Sequence, residues 1–359
     1  MKKIALLLSL NLLTFGISTA QASAPKVGKK CPSLGFEQTH QDQMYVCKKV
    51  GKKLKWQKVV LPPVSIDNLD LRQVPALAYQ KVIKELEGRS KSTFKPTIIA
   101  SPLVKPERIQ MEIDGIQRAI DLFSPYFIPD KFQIVYLTGS DLDWIKNKSD
   151  ELGLASMSPD GNNWEAYIKR TNPCAMAMAG KANGIPTFVQ CLDNPFSSGY
   201  KQTGPHEYTH LFQKLSRELQ NVWYIEGSAS FLGWTLGFHP YNPNSRERSE
   251  WVRALFYQVK QASFEAEQDF KSRDLSRFKK QMTSISNVRN SPQIASIAYW
   301  IGGLATEVLI AIYGMEAFFK FAEDMQIGKD LNSSMQERFG LTADMFYEKL
   351  APYAWAQMD

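Results

Sequence analysis

Residues 206 to 210 read His-Glu-Tyr-Thr-His, two histidines four positions apart with a glutamate after the first. On a helix, positions i and i+4 lie on one face, so both imidazoles can reach one cation. Zn²⁺ binds imidazole nitrogen, and the glutamate one position further round can face the zinc-bound water. The spacing therefore predicts His206 and His210 as metal ligands and Glu207 as a general base. The alternative interpretation is a pair of half-buried helix histidines beside a carboxylate.

A third ligand is expected because catalytic zinc takes three protein ligands and leaves one position for water. Glu226 lies in an apolar stretch, and fifteen residues separate it from His210, enough to finish one helix and return alongside it. A carboxylate there is costly unless it is paired or binds a metal. Small residues at Gly227, Ser228 and Ala229 are expected to let the two helices approach closely. On the alternative interpretation Glu226 is a core carboxylate without a partner.

Hydrophobic periodicity and turn residues indicate the elements that would position these side chains. The Gly204-Pro205 step predicts a helix start at the motif, and the chain beyond it reads as helical. Upstream, the patterns predict two helices, one strand and a hairpin that turns at Asn183-Gly184: Val74–Glu87, Glu107–Phe123, Phe132–Leu137, and Ala175–Ala179 with Thr187–Leu192. Breaks in the helical part are expected near Pro240–Asn244 and Asn287–Pro292. The fold class is therefore α+β, a small N-terminal mixed sheet followed by a mostly α-helical domain.

The N-terminal part of the chain divides into two segments. Residues 1–24 have the lysines, apolar run and small-residue end of a signal peptide, and no other stretch approaches eighteen apolar residues. Residues 25–61 form a small basic module, in which nine lysines stand against two acidic residues. The remaining body is near neutral, so nucleic-acid binding is not expected. The sequence thus predicts a secreted or cell-envelope protein without a membrane span after signal cleavage.

The four cysteines fall into two local pairs, Cys31 with Cys47 and Cys174 with Cys191. Export favours disulfides, and we favour the two local pairings among the three connectivities that four cysteines allow. The Gly-x-x-Cys start and the lysine-rich Cys47-to-Trp56 end of the module resemble a short repeat of exported actinobacterial proteins. An anionic cell-envelope polymer or lipid headgroups would suit its lysines as a partner, and a simply solvated basic surface is the alternative.

The motif, followed by Trp223-x-x-Glu226-Gly227-x-Ala229, resembles the gluzincin metallopeptidases and is most similar to the small bacterial group called peptidase MA-like. The similarity extends over roughly residues 132 to 355 and includes the downstream segments Ala298–Gly303, Ile312–Gly314 and Arg338–Thr342. It implies a zincin-like metallopeptidase domain over residues 62–359, with Zn²⁺ held by His206, His210 and Glu226. The family's spacing between the second histidine and the glutamate is often longer than here.

The resemblance also implies the reaction, zinc-dependent hydrolysis of a peptide or protein substrate with Glu207 as the base. Tyr299 occupies a family-like position, and its phenol would donate a hydrogen bond to the developing oxyanion. Tyr299 as plain helix packing is the alternative, and His239 is the second choice of donor. A zinc-binding fold with little turnover, acting as a scaffold or envelope-binding protein, is the alternative function.

Overall fold

The computed structural model describes residues 25–40, 43–59, 62–158, 164–170, 177–192, 200–213 and 221–358. The chain divides into two compact units, Met1–Pro63 and Val64–Asp359. The predicted signal peptide, residues 1–24, lies outside the described residues. The fold class is α+β, as the sequence predicts.

The N-terminal unit is built on a three-stranded antiparallel sheet of strands in the order β1-β2-β3, which span Glu37–His40, Gln43–Val50 and Lys53–Lys58. Its core is small: the buried Cys31, Cys47 and Trp56. A disulfide joins Cys31 to Cys47, which confirms this predicted pair. So small a core needs a covalent staple. The other predicted pair includes Cys174, which lies outside the described residues.

The second unit contains a four-stranded mixed sheet in the order β4-β5-β7-β6, with strands Thr97–Ala100, Gln133–Leu137, Ala177–Ala182 and Ile185–Cys191 for β4 to β7. Strands β4, β5 and β7 are parallel, and β6 runs antiparallel at the edge. The predicted hairpin is confirmed: Asn183 and Gly184 both have positive φ, as a tight two-residue turn requires. Strand β6 begins two residues later than the sequence predicts, and strand β7 begins two residues earlier.

Both faces of this sheet are covered, because alternate residues of each strand point to opposite sides. Ile134, Tyr136 and Phe188 join the large core shared with the helices. Val135 and Val189 join a smaller core on the other face, beneath α3 and α4, which span Leu142–Leu152 and Trp164–Arg170. A short 3-10 helix, Leu154–Met157, packs against β6.

The long helices agree with the periodicity of the sequence. Helices α1 and α2 span Gln73–Glu87 and Pro106–Phe123, each within one residue of its prediction. The helical C-terminal part comprises α5 to α12, which span Tyr200–Gln213, Val222–Phe238, Arg246–Ala262, Phe264–Lys271, Leu275–Ser284, Pro292–Gln326, Leu331–Phe339 and Ala343–Ala356. The predicted breaks fall between α6 and α7 and before α10, so they are confirmed.

The predicted start of the motif helix is wrong. Helix α5 begins at Tyr200, and Pro205 lies inside it. Proline has no N–H, so it cannot bond the carbonyl of Lys201 one turn earlier. That carbonyl instead faces α6 at Gly237, where an added Cβ would lie only 2.0 Å from it. The two helices therefore approach most closely where Pro205 removes a backbone hydrogen bond from α5.

Helix α6 is buried from Val222 to Gly237 and lies between α5 and α10. The sequence predicts that Gly227 lets α5 approach closely. In the structure Gly227 faces α10 instead, and a Cβ atom added to it would lie 2.1 Å from the backbone of Gly302. The approach to α5 occurs at Gly233 and Gly237 instead. Successive helix residues are rotated by about 100°, so Gly227 faces a different neighbour from Glu226.

Helix α10, Pro292–Gln326, is long and apolar enough to cross a membrane by composition, contrary to the expectation that no such stretch follows residue 24. Its most apolar window is 83 % buried within the protein, as in the core helix of a globular unit, so it is weak evidence for a span. The helix is interrupted at Gly314, whose φ of 87° favours glycine. Lys81 of α1 donates to the carbonyls of Ala311 and Ile312 just before the interruption.

The glycine crossing of α6 and α10 generates a stability prediction. We expect Gly227→Ala to lower the free energy of unfolding by about 2–4 kcal/mol, because backbone blocks the new methyl group. Gly303→Ala is the matched control: its Cβ would meet nothing closer than 3.8 Å, and alanine favours a helix by about 1 kcal/mol. Urea unfolding of both variants measures the difference. Equal effects of the two substitutions would contradict a tight crossing at Gly227.

Candidate metal centre

Helix α5 presents His206 and His210 one turn apart on the side that faces α6. Their Nε2 atoms are 3.0 Å apart, and their rings meet edge to face. The side chain of His210 is 7 % exposed and that of His206 14 %. Both imidazoles are thus largely removed from solvent, with one nitrogen of each directed at a common point.

Helix α6 brings Glu226 to the same point. Asn221 caps the helix by accepting a hydrogen bond from the Tyr224 amide, so Glu226 lies in the first turns of a buried helix. Its Oε2 atom lies 3.4 Å from Nε2 of His210 and 3.6 Å from Nε2 of His206. Among the described residues, this buried oxygen has no hydrogen-bond partner.

These three atoms form a triangle with edges of 3.0, 3.4 and 3.6 Å. Three ligands on a tetrahedral Zn²⁺ ion, with bonds of about 2.0–2.1 Å, are separated by about 3.4 Å. The triangle therefore has the size that such an ion requires. His206, His210 and Glu226 form a group that could hold a metal ion.

Gln213 fixes the tautomer of His210. Its Nε2 donates to the carbonyl of Ile225 and to the hydroxyl of Ser228, and a carbonyl can only accept, so its Oε1 must face His210. That oxygen lies 2.9 Å from Nδ1 of His210, which must therefore carry the proton. When the imidazole is neutral, its Nε2 lone pair is left free for a cation, as in metal sites whose histidines are oriented by a second hydrogen bond.

Asn290, in the segment before α10, donates a side-chain hydrogen bond to Oε1 of Glu226. One carboxylate oxygen is therefore held by an amide, and the other is left facing the histidines. Ser291 caps α10 directly after it by accepting from the Ile294 amide, which fixes the start of the helix. Asn290 and Gln213 thus orient one ligand on each of two helices.

The electrostatics of the site follow from opposite charges in a buried place. Burial by itself would raise the pKa of Glu226, but the neighbouring His210 and His206 hold it well below its usual range. Burial would lower the pKa of His210, whereas the carboxylates of Glu226 and Glu207, with Gln213, raise it to about 9. The site therefore favours an ionised carboxylate and attracts positive charge, whether that charge is a proton or a metal ion.

Glu207 and Tyr299 lie beside the triangle. The Tyr299 ring meets the His206 ring at a centroid distance of 5.6 Å. Burial raises the pKa of Tyr299 well above its ordinary range, and the charges of Glu226 and Glu207 raise it further, so the phenol keeps its proton at neutral pH. Glu207 is 9 % exposed and close enough to affect the pKa of both His210 and Tyr299. All five predicted site residues are therefore brought together.

The other two histidines lie elsewhere. His239 follows the C-terminal end of α6, thirteen residues from Glu226, which is about 20 Å along a helix. Its Nδ1 is hydrogen-bonded to the hydroxyl of Tyr79 at 2.8 Å. It cannot serve as the second-choice oxyanion donor. His40 ends β1 in the N-terminal unit, and its side chain is outside the described part of the chain.

Gln213 and Asn290 were missed from the sequence. Gln213 stands three positions after His210, so the two share a helix face, and this spacing is the one signal that would have found it. Asn290 is 64 positions from Glu226 in a segment expected only to break the helices. Such a contact depends on how α6 and α10 cross.

Comparisons with models of protein families, with curated proteins and with solved structures found no match to this chain.

The hydrogen bond between Gln213 and His210 is expected to strengthen metal binding. Gln213→Leu removes the acceptor for His210 Nδ1, and we expect Zn²⁺ affinity to fall about 10- to 100-fold. Gln326→Leu is the control, because Gln326 also donates to α5, at the carbonyl of Phe212, without touching a histidine. Competition with a coloured chelator measures both affinities. An affinity unchanged by Gln213→Leu, or lowered equally by the control, would rule out an orienting role.

Proposed function

We propose that this chain is an exported zinc metallopeptidase that hydrolyses peptide bonds. One observation carries the proposal. Two histidine nitrogens and a carboxylate oxygen without a hydrogen-bond partner lie at the mutual distances expected of three zinc ligands, and Glu207 is beside them. A histidine pair with one glutamate is a ligand set of catalytic zinc sites, which leave the fourth position open. Imidazole nitrogen favours zinc over the hard cations that prefer oxygen alone.

Bound zinc would polarise the scissile carbonyl and lower the pKa of the attacking water. The remaining chemistry belongs to the chain's own residues. Glu207 accepts the proton of that water and delivers it to the leaving amine. In support of this role, no side-chain hydrogen bond engages Glu207 among the described residues, so its carboxylate is not committed to a structural partner.

Tyr299 donates its phenolic proton to the oxygen of the scissile carbonyl as negative charge develops there. Its chemistry supports this role, because a phenol is protonated at neutral pH and can donate a hydrogen bond. Its position also does so, since the ring packs on His206 and both neighbouring glutamates act on it. Asn290 and Gln213 do not touch the substrate in this proposal and act as positioning residues.

The substrate would bind as an extended peptide beside β6. This strand pairs only with β7 among the described strands, runs antiparallel at the edge of the sheet and packs against α5. Main-chain hydrogen bonds can add a peptide to such an edge. An edge strand beside a helix that bears the zinc motif is the arrangement expected of a zincin-like fold, and we propose that fold for residues 62–359.

Export is the part of the proposal that rests on the N-terminal region. Residues 1–24 have the composition of a signal peptide, and the Cys31–Cys47 disulfide is typical of proteins that fold outside the reducing cytoplasm. We therefore place the enzyme outside the cytoplasm, secreted or at the cell envelope. Its substrate would be a peptide or protein met there.

The central test separates zinc binding from turnover. We expect the native chain to bind one zinc ion and to hydrolyse an unstructured protein such as casein, and to stop when zinc is chelated. Glu207→Gln should keep the zinc and lose at least about 100-fold in kcat, because the base alone is removed. Metal analysis and peptide release by mass spectrometry measure the two properties. Zinc bound with no hydrolysis by the native chain would favour the scaffold function instead.

Tyr299→Phe tests the oxyanion donor. We expect zinc content to stay the same and kcat to fall about 100-fold with little change in KM, because the hydrogen bond strengthens only in the transition state. Tyr313→Phe, on the same helix but without a contact to the histidines, is the control. If both variants retain native kcat, Tyr299 is a packing residue.

A further inference from the structure

The N-terminal unit carries a row of lysines across its sheet. In the antiparallel register, Lys55 of β3 lies directly opposite Lys48 of β2 and, on its other side, opposite Lys30. Directly opposed residues point to the same face, so the three lysine side chains leave the same face of the sheet. Like charges so placed are destabilising. None of the three lysines forms an ion pair among the described residues, so no negative charge there offsets their repulsion.

More lysines lie at the turn between β2 and β3. Lys48, Lys49, Lys52 and Lys53 flank the Val50-Gly51 step, and all four are exposed. Gly51 has a φ of 62°, which suits the tight turn. This end of the hairpin thus carries four positive charges.

Apolar side chains are exposed at the same end of the sheet. Leu34 is 67 % exposed, Phe36 47 % and Val50 39 %. Cys47 donates to the Phe36 carbonyl and accepts from the Gly35 amide, and Leu34 lies in the tight turn just before, which the Phe36 amide closes by donating to the Ser33 carbonyl. Phe36 is fixed there by an edge-to-face contact with Trp56. Large apolar groups kept in water beside a basic loop indicate a binding surface.

We propose that this lysine-apolar tip, comprising Leu34, Phe36 and Lys48–Lys53, docks on the surface of an anionic phospholipid membrane. The lysines meet the phosphate groups, and Leu34 and Val50 enter the boundary between headgroups and acyl chains. The exposed apolar groups favour a lipid surface over a hydrophilic wall polymer, since a polymer would satisfy the lysines but would leave the apolar groups in water. Docking would hold the second unit near a membrane without a span.

The test uses the chain without residues 1–24, which retains every described residue of both units. Cosedimentation with vesicles should show binding to phosphatidylglycerol-containing vesicles and none to pure phosphatidylcholine. Replacing Lys48, Lys49, Lys52 and Lys53 by glutamine should weaken binding at least 100-fold, because each lysine near an anionic surface contributes a factor of about five. The charge-matched control replaces four exposed, unpaired lysines of the other unit by glutamine, namely Lys84, Lys105, Lys131 and Lys260; it should bind as the native chain does.

A second variant separates lipid from polymer. Leu34→Ser with Val50→Ser should weaken vesicle binding at least tenfold and leave any binding to soluble long-chain polyphosphate unchanged. Thermal unfolding and a free-thiol assay check that each variant keeps its fold and its Cys31–Cys47 disulfide. Absence of binding to anionic vesicles, or vesicle binding that the serine variant leaves intact, would overturn the proposal. Binding to polyphosphate but not to vesicles would do so as well and would assign the surface to a polymer.

Discussion

A negatively charged carboxylate on a fully buried helix is the constraint on which the rest of this structure depends. Glu226 lies in α6, whose residues are shielded from water from Val222 to Gly237. A lone charge there would cost several kcal/mol, so positive charge and hydrogen-bond donors must surround it. His206 and His210 approach one oxygen, and Asn290 holds the other. The arrangement is a charged centre that a divalent cation would complete.

The close packing of three helices makes that arrangement possible. Each crossing places backbone against backbone at a glycine, Gly227 with Gly302 toward α10 and Gly237 with Lys201 toward α5. Without these glycines the axes would move apart, and side chains as short as histidine and glutamate would no longer meet. The crossing toward α10 also brings in Tyr299, one turn before Gly302. Helix packing and site geometry are therefore set by the same few contacts.

The two units differ in where their charged groups lie. The second unit contains a buried ion pair between the guanidinium of Arg248 and the carboxylate of Glu307. Among its described residues, the N-terminal unit has a core cluster of three buried side chains and carries several lysines and large apolar groups on the surface. The basic, partly apolar surface therefore belongs to a different unit from the candidate metal centre.

The sequence by itself determined the features that depend on interactions between residues close together in the chain. The spacing of His206 and His210, the Asn183-Gly184 turn, the long amphipathic helices and the Cys31–Cys47 pair all follow from residues close in the chain. Tertiary structure decided the rest: which neighbour Gly227 faces, that α5 begins before Pro205, and that Gln213 and Asn290 orient the ligands. These features depend on helix axes crossing at particular depths and rotations. Packing of whole elements sets those quantities, and no single residue or short spacing encodes them.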